Sequence, residues 1–152
     1  YRLKNVFGKW SRPNYNSVVA TFCHNIPRDL PIAINDPERR LELVYIDDVA
    51  EQFAAELLIS QQPGVTTRSV QPSYAITLHE LAELLRSFRA MRQNLRTPDL
   101  GNPFVHKLYA TYLSYLPPDE FAYALDKKCD PRGGPIFVSL IFPPATPTRL
   151  RT

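Results

Sequence analysis

Glycine is scarce in these 152 residues: there are five, and no two lie close together before Gly133 and Gly134. Neither the G-x-G-x-x-G turn that seats a dinucleotide nor the G-x-x-x-x-G-K-[ST] phosphate loop can be assembled from them, so the chain cannot hold a nucleotide cofactor by either device. Cysteine is scarcer still. Cys23 and Cys129 lie far apart in sequence, which excludes a disulfide framework and is the pattern expected of free thiols in a reducing compartment. His24, His79 and His106 are distant from one another and from both cysteines, so no metal-ligand spacing is legible. The chain has no apolar run of membrane-spanning length and no basic start followed by an apolar export segment, which makes a cytoplasmic setting the expectation. An excess of three positive charges, with Lys and Arg scattered, falls short of a nucleic-acid footprint.

What is present is proline, fifteen residues of it, falling mostly between segments of regular hydrophobic period. The chain opens on Tyr1-Arg-Leu-Lys-Asn-Val-Phe-Gly8, an interior-type strand with no polar lead-in, as expected of a piece of a longer protein. Gly8 and Pro13 mark its exit loop, and Val18, Val19, Phe22 and Cys23 then recur at helical spacing up to Pro27. Strand, polar loop and helix in that order suit an open α/β sheet, where ligands sit beyond the carboxyl ends of strands. A loop carrying Arg12, Asn14, Tyr15, Asn16 and Ser17 is placed there to take an anion or a sugar. Its plain alternative is a turn in which Asn16 caps the next helix, and spacing alone favours that reading.

Residues 30–34 read as a short strand, 35–40 as a turn, and 41–46 as a strand with Leu41, Leu43 and Tyr45 on one side and Glu42 on the other. Asp47 and Asp48 then offer a helix cap at the positive end of the dipole, ahead of an apolar stripe of Val49, Phe53, Ala54, Leu57 and Leu58 that ends at Pro63-Gly64. A further strand is expected within 70–76. Thr77-Leu-His-Glu80 has the capping-box pattern, opening a helix with Leu78, Leu81, Leu84, Leu85, Phe88 and Leu95 inward and Arg86, Arg89, Arg92 and Arg96 on a solvated face. After the break at 98–101, residues 104–116 form a helix with Phe104, Leu108, Tyr112 and Leu113 inward, its tyrosines core residues rather than a stacking platform. Residues 126–134 make a polar joint, and 136–142 read as a strand. Tyr123 and Lys127, one helical turn apart, have the spacing used to lower a tyrosine's pKa, but two common residues at one interval recur by chance.

Three segments together carry a resemblance: Arg2-Leu-Lys-Asn-Val-Phe-Gly8, the loop Arg12-Pro-Asn-Tyr-Asn-Ser17 with the helix to Asn25, and Leu43-Val-Tyr-Ile-Asp-Asp-Val-Ala50. They resemble the R-x-x-N-x-x-G strand end and the V-Y-x-D-D-V-A segment of the extended short-chain dehydrogenase/reductases that act on nucleotide-sugars, the NAD-dependent epimerase/dehydratase family. Trp10 to Asn25, above all Arg12-Pro-Asn-Tyr-Asn-Ser-Val-Val-Ala-Thr-Phe-Cys-His-Asn25, and His106-Lys-Leu-Tyr-Ala-Thr-Tyr-Leu-Ser-Tyr-Leu116 narrow the likeness to reductases of capsular polysaccharide biosynthesis, and Asp130-Pro-Arg-Gly133 resembles the joint where these pass into a cupin domain.

The resemblance covers residues 1 to about 133. It implies an α/β chain, the C-terminal part of an extended Rossmann-type domain, with mixed short strands and amphipathic helices, incomplete as given. Residues 1–126 would be its substrate-binding half, and 127–152 a joint to a missing cupin-like domain with an atypical tail. The implied activity is reduction, with NADPH, of a UDP-linked N-acetyl dideoxy-keto-hexose on the route to UDP-N-acetyl-L-fucosamine, by a homodimeric parent enzyme. Alone, the chain would be inactive, because the family's catalytic tyrosine and lysine lie upstream. Carried over by position, Leu3 and Lys4 lie near the nicotinamide, Asn5 meets the sugar-diphosphate, and Asn14, Asn16 and Ser17 line the sugar and phosphates. Where the family often has an arginine for phosphate, Leu41 stands here, which leaves Arg40 as the candidate. Zinc belongs only to the missing cupin. An epimerase or dehydratase of the same family, or a non-catalytic module that holds a UDP-sugar or a partner, are the alternatives.

Overall fold

A computed structural model describes residues 1–58 and 64–122, and the backbone alone of 128–130, 133–136 and 140–141. Its centre is a three-stranded sheet in the order β1 (Asn5–Phe7), β2 (Arg40–Tyr45), β3 (Tyr74–Thr77). β1 runs parallel to β2, with Asn5 beside Leu43 and Phe7 beside Tyr45, while β3 returns antiparallel, with Leu41 beside Ile76. The parallel pair needs a crossover, and α1 (Val18–Asn25) supplies it.

Alternation along the strands divides the apolar residues between two faces. On one face Phe7, Leu41, Leu43, Tyr45 and Ile76 meet Val19, Phe22 and Cys23 of α1. The long α3 (Leu78–Asn94) and α4 (Pro103–Leu113) close over them with Leu81, Leu85, Phe88, Leu108 and Tyr112. Each such fully buried large side chain stabilises the fold by about 1.5–3 kcal/mol. Among the described residues, the other face carries a small cluster of Val44, Val49 and Val70, with Val6 packed against them.

α3 starts where its capping box says it should. The Glu80 N–H donates to Thr77 Oγ1 at 3.1 Å, and the Glu80 carboxylate accepts from the Thr77 N–H at 2.8 Å. These bonds, the backbone one foremost, hold the Glu80 carboxyl below its usual range. The helix stops at Leu95, which takes a left-handed conformation with φ 56°. Asn102 caps α4 through the N–H groups of Phe104 and Val105.

Several expectations are corrected. Residues 30–34 form no strand: Ile32 and Ile34 pack against the core from a loop that follows the turn at Ile26–Arg28. The strand expected within 70–76 begins only at Tyr74. Asp47 and Asp48 do not cap α2 (Ile46–Leu57), because β2 runs directly into it and Tyr45 holds the cap position without a side-chain bond. Both carboxylates sit inside the first turn and face lysines instead. α2 buries only Val49 of its apolar stripe, against Val44 and Val70, while Phe53, Leu57 and Leu58 are exposed. The helix ends at Leu57, and its expected stop at Pro63 lies outside the described residues. The arginine face of α3 is not simply solvated, as Arg89 forks onto both oxygens of Asp29.

From the polar joint onward, β5 (Lys128–Asp130) pairs antiparallel with β6 (Gly133–Ile136) through three residue pairs, Lys128 with Ile136, Cys129 with Pro135 and Asp130 with Gly133. Of the strand expected over 136–142, Ile136 ends β6 and Leu140–Ile141 form β7, parallel to β4 (Arg96–Thr97), while 137–139 and 142 lie outside the described residues. Tyr123 and Lys127 lie outside the described residues. No described helix is long and apolar enough to cross a membrane.

Candidate functional site

Because β2 alternates, Leu41 and Leu43 share the face of α1 with Asn5, while Arg40 and Glu42 stand on the opposite side. Arg39, one residue before the strand, continues the Leu41 and Leu43 row. A cleft of about 670 Å³ opens on this side, between β1, the amino end of α1 and the turn leading into β2. Of the residues singled out from sequence, it brings together Lys4, Asn5, Asn16 and Ser17. Leu3, Asn14 and Arg40 are not in its lining. Ser11, Asn35, Asp36 and Arg39 line it as well and were missed. The alternation of β2 was the available signal for Arg39.

The loop from Gly8 to Ser17 is held from several directions. Gly8 is required, for a Cβ there would run into the Ile46 side chain at the start of α2. Ser17, not Asn16, caps α1, its Oγ accepting the Ala20 N–H at 3.3 Å. Thr21 Oγ1 donates to the Ser17 carbonyl at 2.8 Å and accepts the Asn14 N–H at 2.9 Å. Asn14 itself sits in the left-handed region, φ 53°, which asparagine tolerates. Its side-chain amide exchanges two bonds of 3.3 Å with buried Asn25, which also donates to the Pro31 carbonyl at 3.0 Å. Asn14 therefore shapes the loop. From α4's far end, the Tyr115 hydroxyl donates to the Ser11 carbonyl at 2.7 Å, and burial raises the pKa of that phenol.

The lining is polar and mixed in charge. The Lys4 ammonium is 3.1 Å from both the Glu42 carboxylate and Ser73 Oγ. Arg39 is fixed through its backbone, its N–H donating to the Asp36 carbonyl at 3.2 Å and its carbonyl accepting the Leu78 N–H at 3.1 Å. Among the described residues its guanidinium has no hydrogen-bond or ion-pair partner. Such a surface can hold a ligand rich in hydroxyls and anionic oxygens. With Lys4 tied down and no glycine turn beneath a helix, the described residues do not fit a nicotinamide dinucleotide on their own. No cluster of metal-ligating side chains occurs among them either.

A second ionisable group lies at the carboxyl end of β2. Lys107 of α4 donates to both Asp48 oxygens at 2.7 Å and to the Tyr74 hydroxyl at 3.2 Å, and it lies 5.6 Å from the centres of the Tyr45 and Tyr74 rings. Desolvation pulls its pKa down, but the bonds to Asp48 and Tyr74 outweigh it and leave the ammonium above the ordinary lysine value.

No family model matches the chain. It is 50% identical over 133 residues to the UDP-2-acetamido-2,6-beta-L-arabino-hexul-4-ose reductase of Pseudomonas aeruginosa, a match that takes in 88% of this chain and 36% of the relative. The chain thus spans about a third of the length of that curated relative. The solved structure of the capsular polysaccharide assembling protein CapF from Staphylococcus aureus superposes with a TM-score of 0.78 and 41% identity, over 88% of this chain and 39% of that one. The UDP-glucose 4-epimerase of Thermus thermophilus, solved with NAD, shares the fold alone: TM-score 0.58, 19% identity, 75% of this chain and 45% of that one. The chain is thus similar to a segment of that reductase and of CapF, and it shares with the epimerase the fold of part of a Rossmann-type domain.

Proposed function

We propose that this chain is the substrate-binding part of a nucleotide-sugar reductase, one that reduces a UDP-linked N-acetyl dideoxy-keto-hexose during capsular polysaccharide assembly. The observation that carries the reading is the cleft beside β1, lined by Asn5, Asn16 and Ser17, in a chain half identical to a reductase of that substrate class. In this reading residues 1–126 hold the nucleotide-sugar, with Asn5, Asn16 and Ser17 donating to sugar and phosphate oxygens and Asn14 keeping their loop in shape. The parent protein is a homodimer that draws its hydride from NADPH. Leu3 and Lys4 lie toward the nicotinamide, whose main binding surface and proton-transfer groups belong to a part of the parent outside this sequence. Residues 127–152 lead toward a cupin-like domain, the place for any zinc.

The test is turnover. The isolated chain, mixed with a UDP-keto-sugar and NADPH, is expected to leave NADPH unoxidised, whereas the same sequence within a full-length parent oxidises it in step with appearance of the hydroxy-sugar. Robust NADPH consumption by the isolated chain would sink the reading.

A further inference from the structure

We infer, resting on the reading of the cleft as a nucleotide-sugar site, that Asn25 is a positioning residue for it: absent from the lining itself, it sets through Asn14 where Ser11 and Asn16 meet the ligand. Asn25 is 6% exposed and shares with Thr111 alone the standing of a buried polar side chain among the described residues. Thr111 bonds within its own helix, its Oγ1 donating to the Lys107 carbonyl at 2.9 Å. Asn25 instead joins the loop 8–17, its own helix and the turn at Pro31. Its Nδ2 donates to Asn14 Oδ1 at 3.3 Å and to the Pro31 carbonyl at 3.0 Å, and its Oδ1 accepts from Asn14 Nδ2 at 3.3 Å. His24 Nδ1 lies 3.0 Å from the same oxygen. An amide oxygen only accepts, so the imidazole carries a proton at Nδ1 and donates there.

With both N–H groups and both lone pairs engaged, one orientation of the amide fits. Turning it over would set its oxygen against the Pro31 carbonyl and its N–H groups against the His24 donor. The fixed amide in turn holds Asn14, whose left-handed backbone, φ 53°, turns the loop between the lining residues Ser11 and Asn16. A second tie closes the circuit from behind. Arg28 Nη1 donates to the His24 carbonyl at 2.9 Å and to the Tyr115 carbonyl at 2.8 Å, while the Tyr115 hydroxyl holds the Ser11 carbonyl. The loop is gripped at Ser11 and at Asn14 by groups that are bonded to one another through residues 24–28. A loop so held loses little freedom when a ligand binds, so releasing Asn14 lowers affinity without removing a ligand contact. Trp10, the sole tryptophan of the chain, rides on the same loop, 84% exposed.

Calorimetric titration of the whole chain with UDP-N-acetylglucosamine tests this, together with the fluorescence anisotropy decay of Trp10. Asn25→Leu keeps the side-chain volume and removes every bond. Asn14→Gly keeps the left-handed backbone and removes the same amide pair from the exposed side of the loop. Each is expected to weaken binding by about 5- to 30-fold and to add fast angular motion to Trp10. The double variant should lose no more than the worse single one, to within about 2-fold, because both substitutions break one pair. Thr111→Val, which removes a buried hydrogen bond away from the loop, should keep wild-type affinity and Trp10 decay whatever its melting temperature. Wild-type behaviour of Asn25→Leu, losses that add in the double variant, or an equal loss in Thr111→Val overturns the assignment and leaves the cleft reading in place. A wild type that fails to bind UDP-N-acetylglucosamine overturns the cleft reading, and the Trp10 decay then still decides whether Asn25 holds the loop.

Discussion

Replacing Lys107 by methionine probes the packing of α4 on the sheet, because the ammonium joins α2, β2, β3 and α4 at one point. Methionine keeps most of the aliphatic stem and removes the charge. Exposed ion pairs are worth about 0.2–1 kcal/mol, and breaking a fully buried one costs about 3–5 kcal/mol. Here the side chains of Lys107 and Asp48 are 23% and 13% exposed, the geometry places both carboxylate oxygens at 2.7 Å, and two aromatic rings flank the charge. The variant strands the Asp48 carboxylate, so the expected loss is about 2–3 kcal/mol by urea denaturation, or roughly 4–12 °C in Tm for a chain of this size. A double-mutant cycle with Asp48→Asn should return a coupling of at least about 1.5 kcal/mol.

The pH dependence has a definite sign. The folded-state pKa of Lys107 is raised, so its contribution is full below the unfolded value near about 10.4 and fades only as pH climbs through the higher folded value. The gap between wild type and Lys107→Met should therefore be flat from neutral pH to about 10 and close beyond it. A coupling under about 0.5 kcal/mol, or a gap that closes near neutral pH, refutes the reasoning.

Tyr112 is buried in the core with a hydroxyl that has no hydrogen-bond partner among the described residues, and burial pushes its phenol up to about 12. Tyr112→Phe should be neutral or stabilising by up to about 1 kcal/mol in the same denaturation assay, and a marked loss would reveal a partner. Gly8→Ala drives a methyl group into Ile46, a β-branched side chain at a helix start, and should cost about 1–3 kcal/mol and weaken UDP binding by disturbing the loop. The Asp29 carboxyl is held below the usual carboxylate range, chiefly by its hydrogen bond from Arg89. The stability difference between wild type and Arg89→Gln is thus present above pH about 4 and shrinks as pH falls through the folded value of Asp29. An acid titration in which that difference stays constant contradicts the pairing.

Much of this architecture is written in local chemistry. Thr77 and Glu80 announce α3 because a capping box needs only four residues to satisfy its backbone donors, and the parallel period of β2 is visible in Leu41, Leu43 and Tyr45. What escaped depends on partners distant in sequence. Asp47 and Asp48 look like caps until Lys9 and Lys107 arrive to pair with them. Ile32 and Ile34 have the apolar character of a strand, yet no neighbouring strand offers them a ladder. Four lining positions, Lys4, Asn5, Asn16 and Ser17, were legible through the resemblance. Arg39 lines the cleft and Arg40 does not, and telling these adjacent arginines apart turns on which way the strand faces, which a one-residue shift flips.

The bond from the Tyr115 hydroxyl to the Ser11 carbonyl spans 104 residues of sequence. A contact of that range closes late, since the loop-closure entropy between its ends must be overcome before it forms. The core of α1, α3 and the sheet can assemble from nearer contacts, but the segment carrying Ser11, Asn16 and Ser17 is clamped from that side only when the end of α4 docks. That clamp is consequently among the later restraints on the loop to form, whereas the bonds from Thr21 and Asn25 close over short stretches of chain. A nascent chain that has not yet extended past Tyr115 would hold this loop from the α1 side alone.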